Sequence, residues 1–203
     1  NSLNVRLPHL QDWLGTFAPD VVGIQETKLE DHKFPDTALA ELGYRSVFAG
    51  QKTYNGVALV SRLPIENVQI GIPNFEDEQK RAIAATVGDV RIVNLYVVNG
   101  QDVGTDKYAY KLRWLEAVHA WLEAELRAHP KLVVLGDFNI APLESDVWSH
   151  KALLDVVSHT PIEVEHLARL AAAHDWVDLG RRFVPAPERL YTWWSYRAAD
   201  WKA

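Results

Sequence analysis

Cysteine is missing from the chain altogether. Its absence excludes disulfides, a thiolate metal site and a cysteine nucleophile, and it suits a reducing cytoplasm. No apolar run approaches the roughly 18 residues that a membrane-spanning helix needs, and no signal-peptide core is present. Neither Gly-rich nucleotide-binding pattern occurs, which argues against a kinase, a GTPase or a dehydrogenase. The eight histidines are scattered, and none has a zinc spacing such as HExxH. An excess of positive charge is lacking as well. The formal charge of -6 argues against a generic polyanion binder, because phosphate affinity comes mostly from Lys and Arg. It leaves room for a metal-holding cleft with a basic rim, since carboxylates that hold a metal add negative charge of their own.

What is present is enough for one large domain. The chain has 203 residues, 48% of them apolar, which is ample for a substantial core. Leu7, Leu10, Leu14 and Phe17 recur at helical spacing and predict a helix over 6–17, ended near Pro19. Strands are expected at 20–26, 45–50 and 56–62, with a short helix at 35–42. The β-branched runs 81–87 and 91–98, separated by Gly-Asp-Val, read as a hairpin. Residues 106–129 carry the longest helical pattern, with Leu112, Leu115, Val118, Leu122 and Leu126 on one stripe. A strand follows in "KLVVLGD". Thr160-Pro161-Ile162-Glu163 has the form of a capping box and opens a helix to about His174. "LYTWWSY", 190–196, reads as a final strand. Strands outnumber helices, and both helical and hairpin connections occur. An α/β sandwich with mixed sheets covered by helices is therefore expected.

The stretch "LVVLGDFNIAP", 132–142, raises the question of chemistry. A strand that only filled a core would not need an acid and an amide two residues apart at its end. In extended chain Asp137 and Asn139 project to one side, where Asp orients or deprotonates a water and Asn donates to an oxyanion. The alternative is that Asp137 caps a turn and Asn139 tolerates an unusual backbone angle. Spacing alone leaves the two even. Glu26 also ends a strand, where a carboxylate suits a hard cation such as Mg²⁺. Lys28 is placed to face the same cleft. Taken singly, Glu26 also reads as a solvated loop acid, Tyr96 as a core or cross-strand residue, and Asn99-Gly100 and Tyr54-Asn55 as turns. Of Trp193 and Trp194 on a strand, one faces in and one out, and the exposed one suits stacking on a base or sugar.

Seven segments taken together resemble the exonuclease III family of abasic-site endonucleases, within the endonuclease/exonuclease/phosphatase superfamily. They are Asn1-Ser2-Leu3, "PDVVGIQETK", "GQKTYNGVALVSR", "NLYVVNG", "VVLGDFNIAP", "WVDLGRRF" and "YTWWSYR". They stand in family order and cover nearly the whole chain. The resemblance implies a four-layer α/β sandwich, with two mixed β-sheets packed face to face and helices outside. It also implies Mg²⁺-dependent hydrolysis, with Mn²⁺ a substitute, of the phosphodiester beside an abasic site in duplex DNA. Trimming of blocked 3′ ends by a 3′-to-5′ exonuclease activity goes with it. So do a monomer, no membrane, and a bacterial cytoplasm close to the nucleoid.

By the same resemblance, Glu26 is the metal carboxylate and Asn1 lies near the metal. Tyr96 stands beside the scissile phosphate. Asp137 positions or deprotonates the attacking water, with Asn139 its partner at the phosphate. Lys28, Tyr54, Asn99, Trp193 and Arg197 contact DNA, with Trp193 walling the lesion pocket. Asp178 is structural. A locally basic face is expected from Lys28, Lys52, Lys111 and Arg197. The family pattern continues past both ends of 1–203, to a preceding Asn, a following Asp segment and a Ser-Asp-His. The single domain is thus expected to lack the start of its first strand and the C-terminal catalytic segment. Two other readings are a relative that cleaves a different phosphoester, and a DNA-binding module without catalysis.

Overall fold

Alternation of apolar side chains organises the first of two compact units in the computed structural model, which describes residues 2–193. This unit runs to Val98 and takes up again over Trp114–Phe138. Strand β3 (Val57–Ser61), buried along its whole length, divides its side chains between two cores. Val57 and Leu59 pack with Ile83, Ala85, Val87 and Ile92. Ala58 and Val60 pack with Leu3, Leu14, Phe34, Leu39 and Tyr44. The period of two along a strand puts alternate residues on opposite faces, so β3 lies between a second sheet and a helical layer.

The first sheet has the order β1-β3-β2, with β1 at Val21–Gln25 and β2 at Arg45–Ala49. The second has the order β4-β5-β6-β7, with β4 at Ile65–Ile70, β5 at Ala82–Val87, β6 at Val90–Tyr96 and β7 at Leu132–Asp137. Helices α1 (Leu3–Phe17) and α2 (Asp36–Ala40) cover the first sheet. Helix α3 (Asp106–Ala128) begins in the second unit and buries Trp114, Leu115, Val118, Trp121 and Leu122 within the first. Arg91 of β6 donates from Nε to Glu125 of α3 at 2.7 Å. Helix, sheet, sheet and helix give the four expected layers.

One part of that expectation needs correcting. The second sheet is mixed, because β6 and β7 pair in parallel. The first is antiparallel throughout among the described residues. The crossover through α2 does set β2 parallel to β1, but β3 inserts between them and opposes both.

Asn94 joins the sheets. Its Nδ2 donates to the carbonyls of Ile24 and Ala58, both at 2.9 Å, and its Oδ1 accepts from Gln25 Nε2 at 2.6 Å. A fully buried amide satisfied in this way rigidifies a core that a half-satisfied one would weaken.

The second unit comprises Asn99–Arg113 and the described chain from Asn139 onward. It holds the start of α3 and helices α4 (His150–Leu153), α5 (Pro161–Ala172) and α6 (Leu179–Phe183). Thr160 and Glu163 form the predicted capping box on α5. Asp178 caps α6, its Oδ1 accepting from Arg181 N at 2.9 Å, in keeping with a structural role.

Several local expectations shift. The helix predicted from residue 6 starts at Leu3. β4 escapes alternation because a bulge between Glu66 and Gln69 breaks its register. The buried face of α3 runs through Tyr108, Lys111, Trp114 and Trp121, while Leu112 and Leu126 are only half-buried. No strand covers 190–193, and 194–196 lie outside the described residues. No described helix is long and apolar enough to cross a membrane.

Candidate active site

In the first unit, the chain turns sharply after β1. Glu26 and Lys28 both have left-handed backbone, at φ 56 and 55, which non-glycine residues rarely adopt outside constrained sites. The turn is held by Thr27 N to Gly56 O at 3.2 Å and Lys28 N to Asn55 O at 2.9 Å. Gly56 is required there, since a Cβ on it would lie 2.0 Å from Thr27 Oγ1.

The turn delivers Glu26 to Tyr96, at the end of β6. Tyr96 OH donates to Glu26 Oε1 at 3.1 Å, and Lys28 Nζ lies 3.0 Å from the same oxygen. Arg81 supports the tyrosine from behind. Its guanidinium carbon sits 4.8 Å from the ring centroid, and its Nη1 donates to Tyr96 O at 3.2 Å. Asp137 stands opposite Tyr96 in the parallel register of β6 and β7. Burial above all, then the charge and hydrogen bond of Glu26, push the Tyr96 phenol up to about 12, with Asp137 adding to the rise and Arg81 opposing it.

The consequence is testable by titration. Tyr96 is a neutral hydrogen-bond donor across the physiological range. The folded value is raised above the ordinary 10.0 of the unfolded chain. The contribution to stability is therefore fully present below pH 10 and is lost as pH rises through about 12. Ultraviolet titration of metal-free protein is expected to show a phenol that ionises near 12, absent in Tyr96→Phe. A cation bound at Glu26 lowers that value, because it offsets one of its causes.

In the second unit, Asn99 Nδ2 donates to Asn139 Oδ1 at 3.2 Å, and Asn99 Oδ1 accepts from Gln101 N at 3.1 Å. Asn139 has left-handed backbone at φ 49. The unusual angle raised by its residue type is thus real, and the argument from extended i and i+2 alternation stops at Asp137, where β7 ends. Nor is β7 fully buried, since Val133 is 41% exposed.

The remaining sequence candidates divide. Tyr54 and Trp193 are exposed, as surface contacts would be. Asn1 and Arg197 lie outside the described residues. Lys111 is corrected. It is wholly buried and ion-paired with Glu163, so it contributes to no basic face. Arg81 and Gln79, whose Oε1 accepts from Arg81 Nε at 2.7 Å, were missed. Their only sequence signal was polar residues directly before β5.

The donor chemistry fits a hard cation that takes few protein ligands. Glu26 offers a carboxylate whose side chain is 45% exposed. No group of three metal-binding side chains exists among the described residues. Mg²⁺ suits such a site, since it is commonly held by one or two carboxylates with waters and substrate phosphates.

Acids at two strand ends of a two-sheet sandwich thus stand beside a donor tyrosine. The model of the Endonuclease/Exonuclease/phosphatase family matches residues 2–203, and the chain belongs to that family. Exodeoxyribonuclease III of Haemophilus influenzae is 29% identical over 98% of this chain and 78% of its own length. Among solved structures, the 3′-5′ exonuclease NExo of Neisseria meningitidis superposes with a TM-score of 0.94 at 41% identity, covering 98% of this chain and 77% of that one. The same scores hold for a Neisseria 3′ phosphatase NExo bound to product DNA hairpin. An AP endonuclease from Archaeoglobus fulgidus gives 0.92 at 34% identity, covering the same shares of the two chains.

Proposed function

We propose that the chain is a Mg²⁺-dependent DNA repair phosphodiesterase that cuts the backbone at abasic sites in duplex DNA, with 3′-end trimming as a second activity. The observation that carries the reading is the hydrogen bond from Tyr96 to Glu26, with Asp137 in register beside Tyr96. A phosphodiester resists attack because its negative charge repels a nucleophile. Glu26, with Asn1, would hold the cation; Mn²⁺ has compatible chemistry. When bound, that cation supplies charge neutralisation at a phosphate oxygen.

The other roles belong to the chain's own groups. Asp137 orients the attacking water and accepts its proton. Tyr96, neutral at working pH, redirects its single O–H from Glu26 toward a phosphate oxygen. The amides of Asn99 and Asn139 donate to phosphate oxygens as charge develops. Lys28, Tyr54, Trp193 and Arg197 contact the DNA, Trp193 by stacking. An abasic sugar has already lost pairing and stacking, so turning it out of the duplex costs less than flipping a paired base. This selects the lesion without base contacts. The protein acts as a monomer, in a bacterial cytoplasm near the nucleoid.

The identity of 41% to a Neisseria 3′ phosphatase, above the 34% to an AP endonuclease, favours a second reading in which 3′-end processing is the principal reaction. One experiment tests both. The natural full-length polypeptide with Mg²⁺ is given an abasic duplex and a duplex ending in a 3′ phosphate. Cleavage of the first supports the leading reading, and release of phosphate from the second alone supports the other. Action on neither overturns both.

A further inference from the structure

We infer that Lys111 and Glu163, a wholly buried ion pair in the second unit, are positioning residues that set the orientation of the Asn99 and Asn139 amides. The inference rests on the reading of those amides as phosphate contacts. An ammonium has three donors and no acceptor. Lys111 Nζ directs them at Asn99 O at 3.2 Å, Asn139 O at 2.8 Å and the Glu163 carboxylate. Two of these partners are therefore the backbone oxygens of the two candidate residues.

Glu163 is itself held. Its Oε1 accepts from Ser158 N at 3.0 Å, and its Oε2 accepts from Thr160 N at 3.1 Å and Thr160 Oγ1 at 2.7 Å. Thr160 Oγ1 also lies 2.6 Å from Tyr108 OH, one turn before Lys111 on α3. Gly100, at φ 94, lets the chain pass over the lysine stem, where a Cβ would come within 3.1 Å of Cδ. The ammonium thus fixes two loop backbones at adjacent points. A directional relay then orders their side chains: Gln101 N to Asn99 Oδ1, and Asn99 Nδ2 to Asn139 Oδ1. The relay distinguishes oxygen from nitrogen in each amide, and it turns the Asn139 NH₂ group away from Asn99.

The charges of the pair are a weak source of stability, although Glu163 also caps α5. A buried ion pair is generally no better for folding than apolar residues of similar volume, while breaking one by removing a single partner is costly. A misplacement of about 1 Å in a positioned group, caused from a distance, can cost roughly a hundred-fold in rate.

The test is a mutant cycle that removes both charges together, Lys111→Met with Glu163→Gln, in the wild-type and Asn139→Ala backgrounds. On wild-type background kcat for the cleaved duplex is expected to fall roughly ten- to hundred-fold, with KM within about two-fold. On Asn139→Ala the same change is expected to cost clearly less, because one of its two targets is gone. An equal loss in both backgrounds, or no loss, overturns the inference. Should the double variant unfold, Glu163→Asp keeps both charges, shortens the carboxylate by one methylene, and is read by the same cycle.

A second measurement needs no substrate. The ¹⁵N–¹H signals of the Asn99 and Asn139 side-chain amides are compared between wild type and variant. If wild type cuts no DNA, the proposed function fails while these signals still decide the inference. Shifted amide signals support it, and unchanged ones overturn it.

Discussion

Asp137→Asn is expected to lower kcat about a hundred- to ten-thousand-fold, the range that a positioned general base supplies, while binding of DNA stays within a few-fold of wild type. The asparagine keeps the shape and the strand-end position of the aspartate, so the β6–β7 ladder, with Val97 N donating to the residue 137 carbonyl at 2.9 Å, is undisturbed. What it removes is the capacity to take a proton from water. An amide nitrogen also donates where the carboxylate accepts, which turns a bound water the wrong way. One charge fewer at the strand end favours a polyanion slightly, so binding does not fall. Single-turnover cleavage with DNA in excess of its Kd, together with a binding isotherm in Ca²⁺, separates the two effects. A rate within about three-fold of wild type would remove Asp137 from the chemistry.

The neighbouring Gly136→Ala is expected to act on the fold and, through it, on the same carboxylate. Gly136 has φ 141, and a Cβ placed on it would lie 1.9 Å from Leu95 O and 2.8 Å from Leu95 C and N. At that angle the Cβ points into the ladder between β6 and β7 instead of out of the sheet. Backbone atoms of the paired strand cannot rotate away as a flexible side chain would. A conflict of this kind belongs with the few mechanisms that cost roughly 3–5 kcal/mol, a fall in Tm of roughly 10 °C for a chain of this size. The strands must separate or slip, and Asp137 moves off its register with Tyr96. Thermal unfolding by circular dichroism and the cleavage rate at low temperature are both expected to fall. A Tm within about 2 °C of wild type, with a normal rate, would show that the ladder accommodates a methyl group after all.

This glycine explains the motif better than the sequence alone did. "LGDFN" was legible as a strand that ends in an acid and an amide, but not why glycine precedes the acid. Features set by local periodicity or by caps were readable in advance: β3, the β5–β6 hairpin and the Thr160–Glu163 box on α5. Features set by distant partners were not. Lys111 interrupts the apolar face of α3, and only the buried carboxylate of Glu163 turns that interruption into a core residue. Arg81 looks like a surface cation until Tyr96 stacks on it. Glu26 meets Tyr96 across seventy residues of sequence, a pairing that neither motif encodes by itself. The resemblance to a family joined the two motifs, since it brings along the tertiary information that spacing lacks.

The parallel pairing of β6 and β7 has a consequence for how this chain tolerates change. Tyr96 and Asp137 are aligned by a ladder, and not by the length of the polypeptide that links them. Insertions into the exposed turn at 101–104 therefore leave their alignment intact, whereas a slip of a single residue in either strand destroys it. A longer turn there is tolerated, while the pairing of Tyr96 with Asp137 depends on the strands alone.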